Sequence, residues 1–190
     1  MAKDFAAVFA EIQKSEGLIL DVRENGGGSS NVGWEILGFL TDKPFSGTQW
    51  RTRDYRPSYR AWGQTEKWFS QGASKLLAHG PDPYRKPVVV LIGAPTFSAA
   101  EDFAVVFDAM KRGKIIGEPS GGSTGQPLSV TLPGGGSVRI CTKHDRYPDG
   151  KEFVGVGIQP NVLVRPTIED FRTGRDTVLE AAIRELQGAK

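Results

Sequence analysis

Two continuous apolar runs, Leu18-Ile19-Leu20-Asp21-Val22 and Val88-Val89-Val90-Leu91-Ile92, constrain this chain more than any other feature. Apolar residues that follow one another without alternation suit a strand covered on both faces, as in a parallel sheet. The first run empties into Asn25-Gly26-Gly27-Gly28-Ser29-Ser30, and behind it Trp34, Ile36, Leu37, Phe39 and Leu40 form a short amphipathic segment. The second run leads through a short turn to Phe103, Val106, Phe107 and Met110, an apolar helical stripe that ends near Gly113. Two strand-loop-helix units predict an α/β domain whose ligand site lies at the carboxyl ends of parallel-type strands.

The remaining segments extend that frame. Phe5, Val8, Phe9 and Ile12 recur at helical spacing and predict a helix ahead of the first strand. Ile115-Ile116 reads as a short third strand, and 117–126 is a polar, glycine-rich loop. Leu128-Ser129-Val130-Thr131-Leu132 alternates as a half-buried strand does, and Pro133-Gly134-Gly135-Gly136 turns it back, so a β-hairpin excursion is expected. Pro148-Asp149-Gly150 marks another turn, and Val162-Leu163-Val164 a last strand. The closing helix is expected to present Leu179, Ala182, Ile183 and Leu186 on one face. Residues 46–85 show no clear period and crowd Trp50, Trp62 and Trp68 among tyrosines and arginines. They read as a peripheral segment, either a covering flap or a surface for peptide or ligand contact.

Length and charge narrow the function classes. A chain of 190 residues fits one core, so residues 1–190 read as a single domain. An apolar-periodic segment begins almost at once, which suggests that upstream segments are missing. Lys and Arg number 24 against 22 for Asp and Glu, so no electrostatic case arises for a nucleic-acid or membrane-surface partner. No apolar run approaches the roughly 18 residues of a membrane span, and Met1-Ala2-Lys3-Asp4 does not open a signal-peptide core. Cys141 stands alone, so cysteine supplies no intrachain disulfide, zinc cluster or redox pair. Neither glycine loop has the Gly-Lys-Ser/Thr or Gly-x-Gly-x-x-Gly spacing that binds nucleotides. No metal or cofactor is expected, and no pattern encodes an oligomeric state.

Ser98 lies five residues beyond Gly93, where strand gives way to helix. There its hydroxyl and the unpaired N–H groups of a helix start can face one space, an arrangement that suits a nucleophile beside an oxyanion site. Ala99 N–H would be one donor, and a Gly26-Gly27-Gly28 turn could bring a second. A simpler role is equally consistent with the local residues, because Ser98-Ala99-Ala100-Glu101 is also a capping box. A serine nucleophile needs a base within about 2.6–3.2 Å. The histidines are His79, in an irregular segment, and His144, beside Asp145; each could equally be a solvated surface residue. No lysine lies between Lys114 and Lys143.

Several stretches, taken in order, resemble the C-terminal processing (tail-specific) protease family. Leu18 to Gly28 looks like its strand ending Asp-Leu-Arg-x-Asn-x-Gly-Gly, and Thr96-Phe97-Ser98-Ala99-Ala100-Glu101 like its nucleophile turn. Ile115 to Gly122 is similar to its Gly-Glu loop, Gly155-Val156-Gly157-Ile158-Gln159-Pro160-Asn161 to its Gly-x-Gly-Ile-x-Pro-Asp segment, and Gly174-Arg175-Asp176 to the start of its closing helix. The resemblance implies a spiral α/β core related to crotonases and the Clp protease. It further implies a serine peptidase acting on polypeptides by acyl transfer, with Ser98 as nucleophile and the Ala99 and Gly27 amides as the oxyanion hole. Family members are commonly extracytoplasmic.

The chain departs from the pattern at the base. Many members carry Thr-x-Gly-Lys after Gly-Glu with a glutamine four residues on; here Ser123 takes the lysine position, and Gln126 is adjacent to the glutamine position, Pro127. A subgroup resembling the tricorn protease takes a histidine from upstream and a glutamate just before Gly-x-Gly, where this chain has Val154, with Glu152 two residues earlier. The absence of the lysine places the chain nearer to that subgroup and to retinoid-binding relatives. Three readings remain open: a peptidase core whose base lies upstream, a core in which His144 supplies the base, oriented by Asp145 or Glu152, and an inactive relative that binds a peptide or an apolar ligand. Ser123 and Gln126 are further candidates for a base or supporting role.

Overall fold

The computed structural model describes residues 2–188. In chain order it contains α1 (Ala2–Ile12), β1 (Leu18–Asp21), α2 (Ser30–Gly38), β2 (Phe45–Ser46), β3 (Gln49–Asp54), α3 (Pro57–Ala61), β4 (Lys67–Gln71) and β5 (Lys75–Leu76). It continues with β6 (Val88–Ile92), α4 (Ala99–Ala109), β7 (Lys114–Gly117), β8 (Leu128–Thr131), β9 (Ser137–Ile140), β10 (His144–Arg146), β11 (Val162–Leu163), α5 (Ile168–Thr173) and α6 (Thr177–Gly188).

The central sheet has the order β1-β6-β7-β11 and every pairing in it is parallel, with Leu20 opposite Val90 and Val90 opposite Ile115. All of β6 is buried, and its alternation splits the core in two. Val88, Val90 and Ile92 meet Leu37 of α2 and Phe103, Val106 and Phe107 of α4. Val89 and Leu91 meet Val178 and Ala182 of α6 on the opposite face. A strand covered on both sides explains why β6 reads as an unbroken apolar run. Leu91 is fully buried, so Leu91→Ala is expected to lower the unfolding free energy by about 2–5 kcal/mol, read from chemical denaturation.

Four expectations are corrected by their surroundings. β1 is half-buried because it is the edge of its sheet. Phe5 and Phe9 of α1 pack on Phe39, but Val8 is half exposed on the far side. In α6 the packed residues are Val178, Ala182 and Leu186, whereas Leu179 and Ile183 turn outward, so the buried stripe lies about one position away from the expected one. The β8–β9 hairpin forms as expected, yet all its residues are exposed, because no described element covers it.

The segment 46–85 is more regular than its sequence suggests. Its β3 and β4 join β10 in an antiparallel sheet of order β10-β3-β4. Arginines stack on its aromatics, with Arg51 and Arg53 over the Trp68 ring, so charge and ring alternate where an apolar period would otherwise be visible. None of the helices described is long and apolar enough to cross a membrane.

Candidate active site

The loops leaving β1, β6 and β7 converge at the carboxyl ends of the parallel strands, as an α/β sheet dictates. Ser98 occupies the position just before α4 with φ 56° and ψ −123°. A non-glycine residue rarely adopts this conformation, and the cost is on the order of 1–3 kcal/mol unless neighbours hold it. A sharp strand-to-helix turn of this kind exposes a nucleophilic hydroxyl. Ser98 is the N-cap of α4 and Glu101 the N3 residue of its capping box, with Ser98 N–H donating to Glu101 Oε2, so the cap and the expected nucleophile position coincide in one residue.

The neighbours that hold the turn are visible. Ser98 N–H donates to Ser123 O at 3.0 Å and to Glu101 Oε2 at 3.1 Å. Phe97 N–H donates to Asn25 O, and the buried Thr96 hydroxyl donates to Val22 O. Glu101 is fully buried, and it also accepts from Ser123 N–H (2.9 Å), Gly122 N–H (2.7 Å) and the Ser120 hydroxyl (2.6 Å). Ser120 Oγ in turn accepts from Ile158 N–H at 2.7 Å. One carboxylate therefore ties the Ser98 turn to the glycine-rich loop after β7, and through Ser120 to the Gly155–Ile158 segment. At Gly157, with φ +76°, a Cβ would lie 2.3 Å from Ser120 O, so the two loops touch backbone to backbone.

The expected oxyanion donors flank Ser98. Ala99 is the first residue of α4, where an N–H has no acceptor within the helix. Gly27 is pressed against Ser98: a Cβ there would lie 2.7 Å from Ser98 Cβ and 3.1 Å from Ala99 N. Its N–H donates to Asn25 Oδ1 at 2.9 Å.

A polar cleft of about 610 Å³ opens above Ser98, and Trp34, Asp102, Thr124, Gln126, Arg139 and Lys143 are among the residues that line it. Ser123 contributes chiefly through its backbone, and its hydroxyl lies 3.8 Å from Cys141 Sγ. His144 does not line this cleft. Successive residues of a strand face opposite sides, so its Nε2 meets Glu152 Oε2 at 2.9 Å while Asp145 is buried on the other side, bonded to Lys143 Nζ at 2.6 Å. His79 is also elsewhere, stacked on Phe39. Behind the glycine turn an apolar pocket of about 320 Å³ is lined by Leu20, Val22, Val32, Ile36, Ala99 and Phe103, with Gly27 and Gly28 at its rim. A larger concavity of about 1050 Å³ borders Asn25 but does not include Ser98; its floor is the Arg23 ion pairs with Asp21 and Asp176.

One member of the cleft has no counterpart in the sequence reading. Asp102, one helical turn after Ser98, is almost wholly buried and accepts from the Ser30 hydroxyl at 2.6 Å through Oδ2, while Oδ1 has no partner. Burial pushes its carboxyl up to about 6; the Ser30 hydroxyl and Lys143 oppose the rise, and Asp145 and Glu101 add to it. The available signal was a second acid in the first turn of α4, a helix buried continuously from Ala99 to Phe107.

With this geometry in hand, comparison with known proteins is decisive on one point. The family model for peptidase family S41 matches residues 1–164. The chain belongs to that family. It is 28% identical over 162 residues to the chloroplastic C-terminal processing peptidase of Tetradesmus obliquus, covering 84% of this chain and 32% of that protein. It is 27% identical over 192 residues to the carboxy-terminal-processing protease of Bartonella bacilliformis, covering 97% of this chain and 40% of the relative. The solved photosystem II D1 C-terminal processing protease superposes with a TM-score of 0.63 at 25% identity, over 97% of this chain and 42% of that one. The chain thus spans well under half the length of these relatives. The α/β architecture expected from the strand-loop-helix units is that of the family.

Proposed function

We propose that this chain is the catalytic core of a serine peptidase that cleaves polypeptides by acyl transfer, with Ser98 as nucleophile. The observation that carries the proposal is the Ser98 turn, in which a strained φ of 56° is held at the carboxyl ends of the parallel strands by hydrogen bonds from two neighbouring loops. Attack by Ser98 Oγ on a peptide carbonyl places negative charge on the carbonyl oxygen. Ala99 N–H meets that charge at the positive end of α4, and Gly27 N–H, now donated to Asn25 Oδ1, turns to it as the tetrahedral intermediate forms. The apolar pocket beside Gly27 and Ala99 takes the side chain next to the scissile carbonyl. Relatives named for C-terminal processing favour this reading over an inactive, ligand-binding one.

A fluorophosphonate probe is expected to label the chain at Ser98, and Ser98→Ala to abolish labelling while leaving the melting temperature within a few degrees of the wild type. An inert Ser98 in the folded chain would sink the peptidase reading.

A further inference from the structure

The strand β4 is an open edge. One side pairs with β3 over five successive residues without a bulge, while no described strand pairs with the other side, and every residue from Lys67 to Gln71 is exposed. Such an edge presents unpaired N–H and C=O groups that template the addition of another extended chain. Folds commonly blunt open edges with proline, bulges or several charges. Lys67-Trp68-Phe69-Ser70-Gln71 has no proline, and its one charge stands at the end.

The side chains around this edge are basic and aromatic. Within 49–71, Arg51, Arg53, Arg56, Arg60 and Lys67 face only Asp54 and Glu66, a net charge of +3 where the whole chain carries +2. The mild total charge thus conceals a local concentration. Both acids are already taken, Asp54 by Arg56 at 3.3 Å and Glu66 by Arg53 at 2.9 Å. Among the described residues neither Arg60 nor Lys67 meets an acid; Lys67 Nζ lies over the Tyr59 ring. Trp68 is 45% exposed and Phe69 55%, one on each face of the ribbon, so apolar contact is available beside the surplus cations.

The edge also leads to the site. Gln71 lies opposite Trp50 of β3, and Trp50 lines the Ser98 cleft together with Ser74, three residues beyond the end of β4. A chain laid along β4 is therefore delivered to the mouth of that cleft.

We propose that the open edge of β4 docks an extended, acidic stretch of the polypeptide substrate as an added strand, away from the scissile bond, and directs the rest of the chain toward Ser98. This rests on the peptidase reading for the word substrate, but not for the docking itself. Strand addition draws affinity from the backbone and tolerates varied sequences, while the surplus of cations supplies the preference for acidic ones.

The test uses the Ser98→Ala chain, which binds without cleaving, and a fluorescein-labelled dodecapeptide of alternating Glu and Val, with alternating Lys and Val as the control. By fluorescence anisotropy the acidic peptide should bind at least about 10-fold more tightly, and the gap should close at high salt. Its binding should protect backbone amides within 67–71 from hydrogen exchange, which attraction to a charged surface elsewhere does not do. Arg60 and Lys67 are exposed, so the double variant Arg60→Glu, Lys67→Glu leaves the fold intact and should weaken the acidic peptide about 10-fold. In the active chain the same variant should act on KM rather than kcat when unfolded casein, an acidic polypeptide, is the substrate. Equal binding of the two peptides, or no new protection in 67–71, overturns the proposal and leaves Ser98 labelling untouched. So does a chain whose β4 amides are already protected in a self-paired dimer, or one that ignores the peptide and sediments with anionic lipid vesicles. If the peptide protects 67–71 and wild-type Ser98 stays inert to fluorophosphonate, the docking edge stands and the peptidase reading falls.

Discussion

Glu101→Ala is expected to be among the most damaging single substitutions in the chain, lowering the unfolding free energy by about 3 kcal/mol or more. The carboxylate is fully buried and accepts four hydrogen bonds, from Ser98 N, Ser120 Oγ, Gly122 N and Ser123 N. Ser98 N keeps a second acceptor in Ser123 O, so three donors lose the acceptor that Glu101 supplies. Each buried donor left unsatisfied costs on the order of 1–3 kcal/mol. Against a total stability of roughly 5–15 kcal/mol that is a large fraction. Glu101→Gln should be informative too: one oxygen can still serve Ser120 and Gly122, but its NH₂ must then face the N–H groups of Ser98 and Ser123. Chemical denaturation measures both variants. An Ala variant within about 0.5 kcal/mol of the wild type would show that the loops hold Ser98 without this carboxylate.

The same residue shows how far sequence reading reaches. Glu101 was legible as part of a local pattern, a capping box or a nucleophile turn, because both are signals within four residues. Its partners Ser120, Gly122 and Ser123 lie 19–22 positions away, and no local pattern marks them. The strand-loop-helix units were legible for the opposite reason: β6 must be apolar throughout to be covered by α4 and α6. The β3–β4 ribbon escaped because β4 is exposed, β3 is half-buried without alternation, and the Trp68 ring is stacked by arginines, so burial imposed no period on it. His144 was a candidate for its chemical type and its acidic neighbour, but strand alternation sends Asp145 to one side and His144 to the other. Asp102 was passed over because its partner Ser30 is 72 residues away and its meaning depends on burial.

Gly27→Ala is expected to reduce Ser98 labelling and peptide turnover by about 100-fold or more. The backbone there has φ +105°, which an alanine adopts only under strain, and the added Cβ would lie 2.7 Å from Ser98 Cβ and 2.8 Å from Phe97 O. Neither neighbour can yield freely, because Phe97 N–H is tied to Asn25 O and Ser98 N–H to Ser123 O and Glu101. The turn must shift by a sizeable fraction of an ångström, and a displacement of about 1 Å at a reacting group can cost roughly 10²-fold. Gly28→Ala supplies the contrast. Its φ is +142°, yet a Cβ there meets nothing within 4 Å, so it should lose stability through backbone strain while leaving Ser98 in place. Labelling rates and melting temperatures of the two variants separate strain from invasion of the site. Should Gly27→Ala label no more slowly than Gly28→Ala, close contact between the glycine turn and Ser98 is not what the chemistry requires.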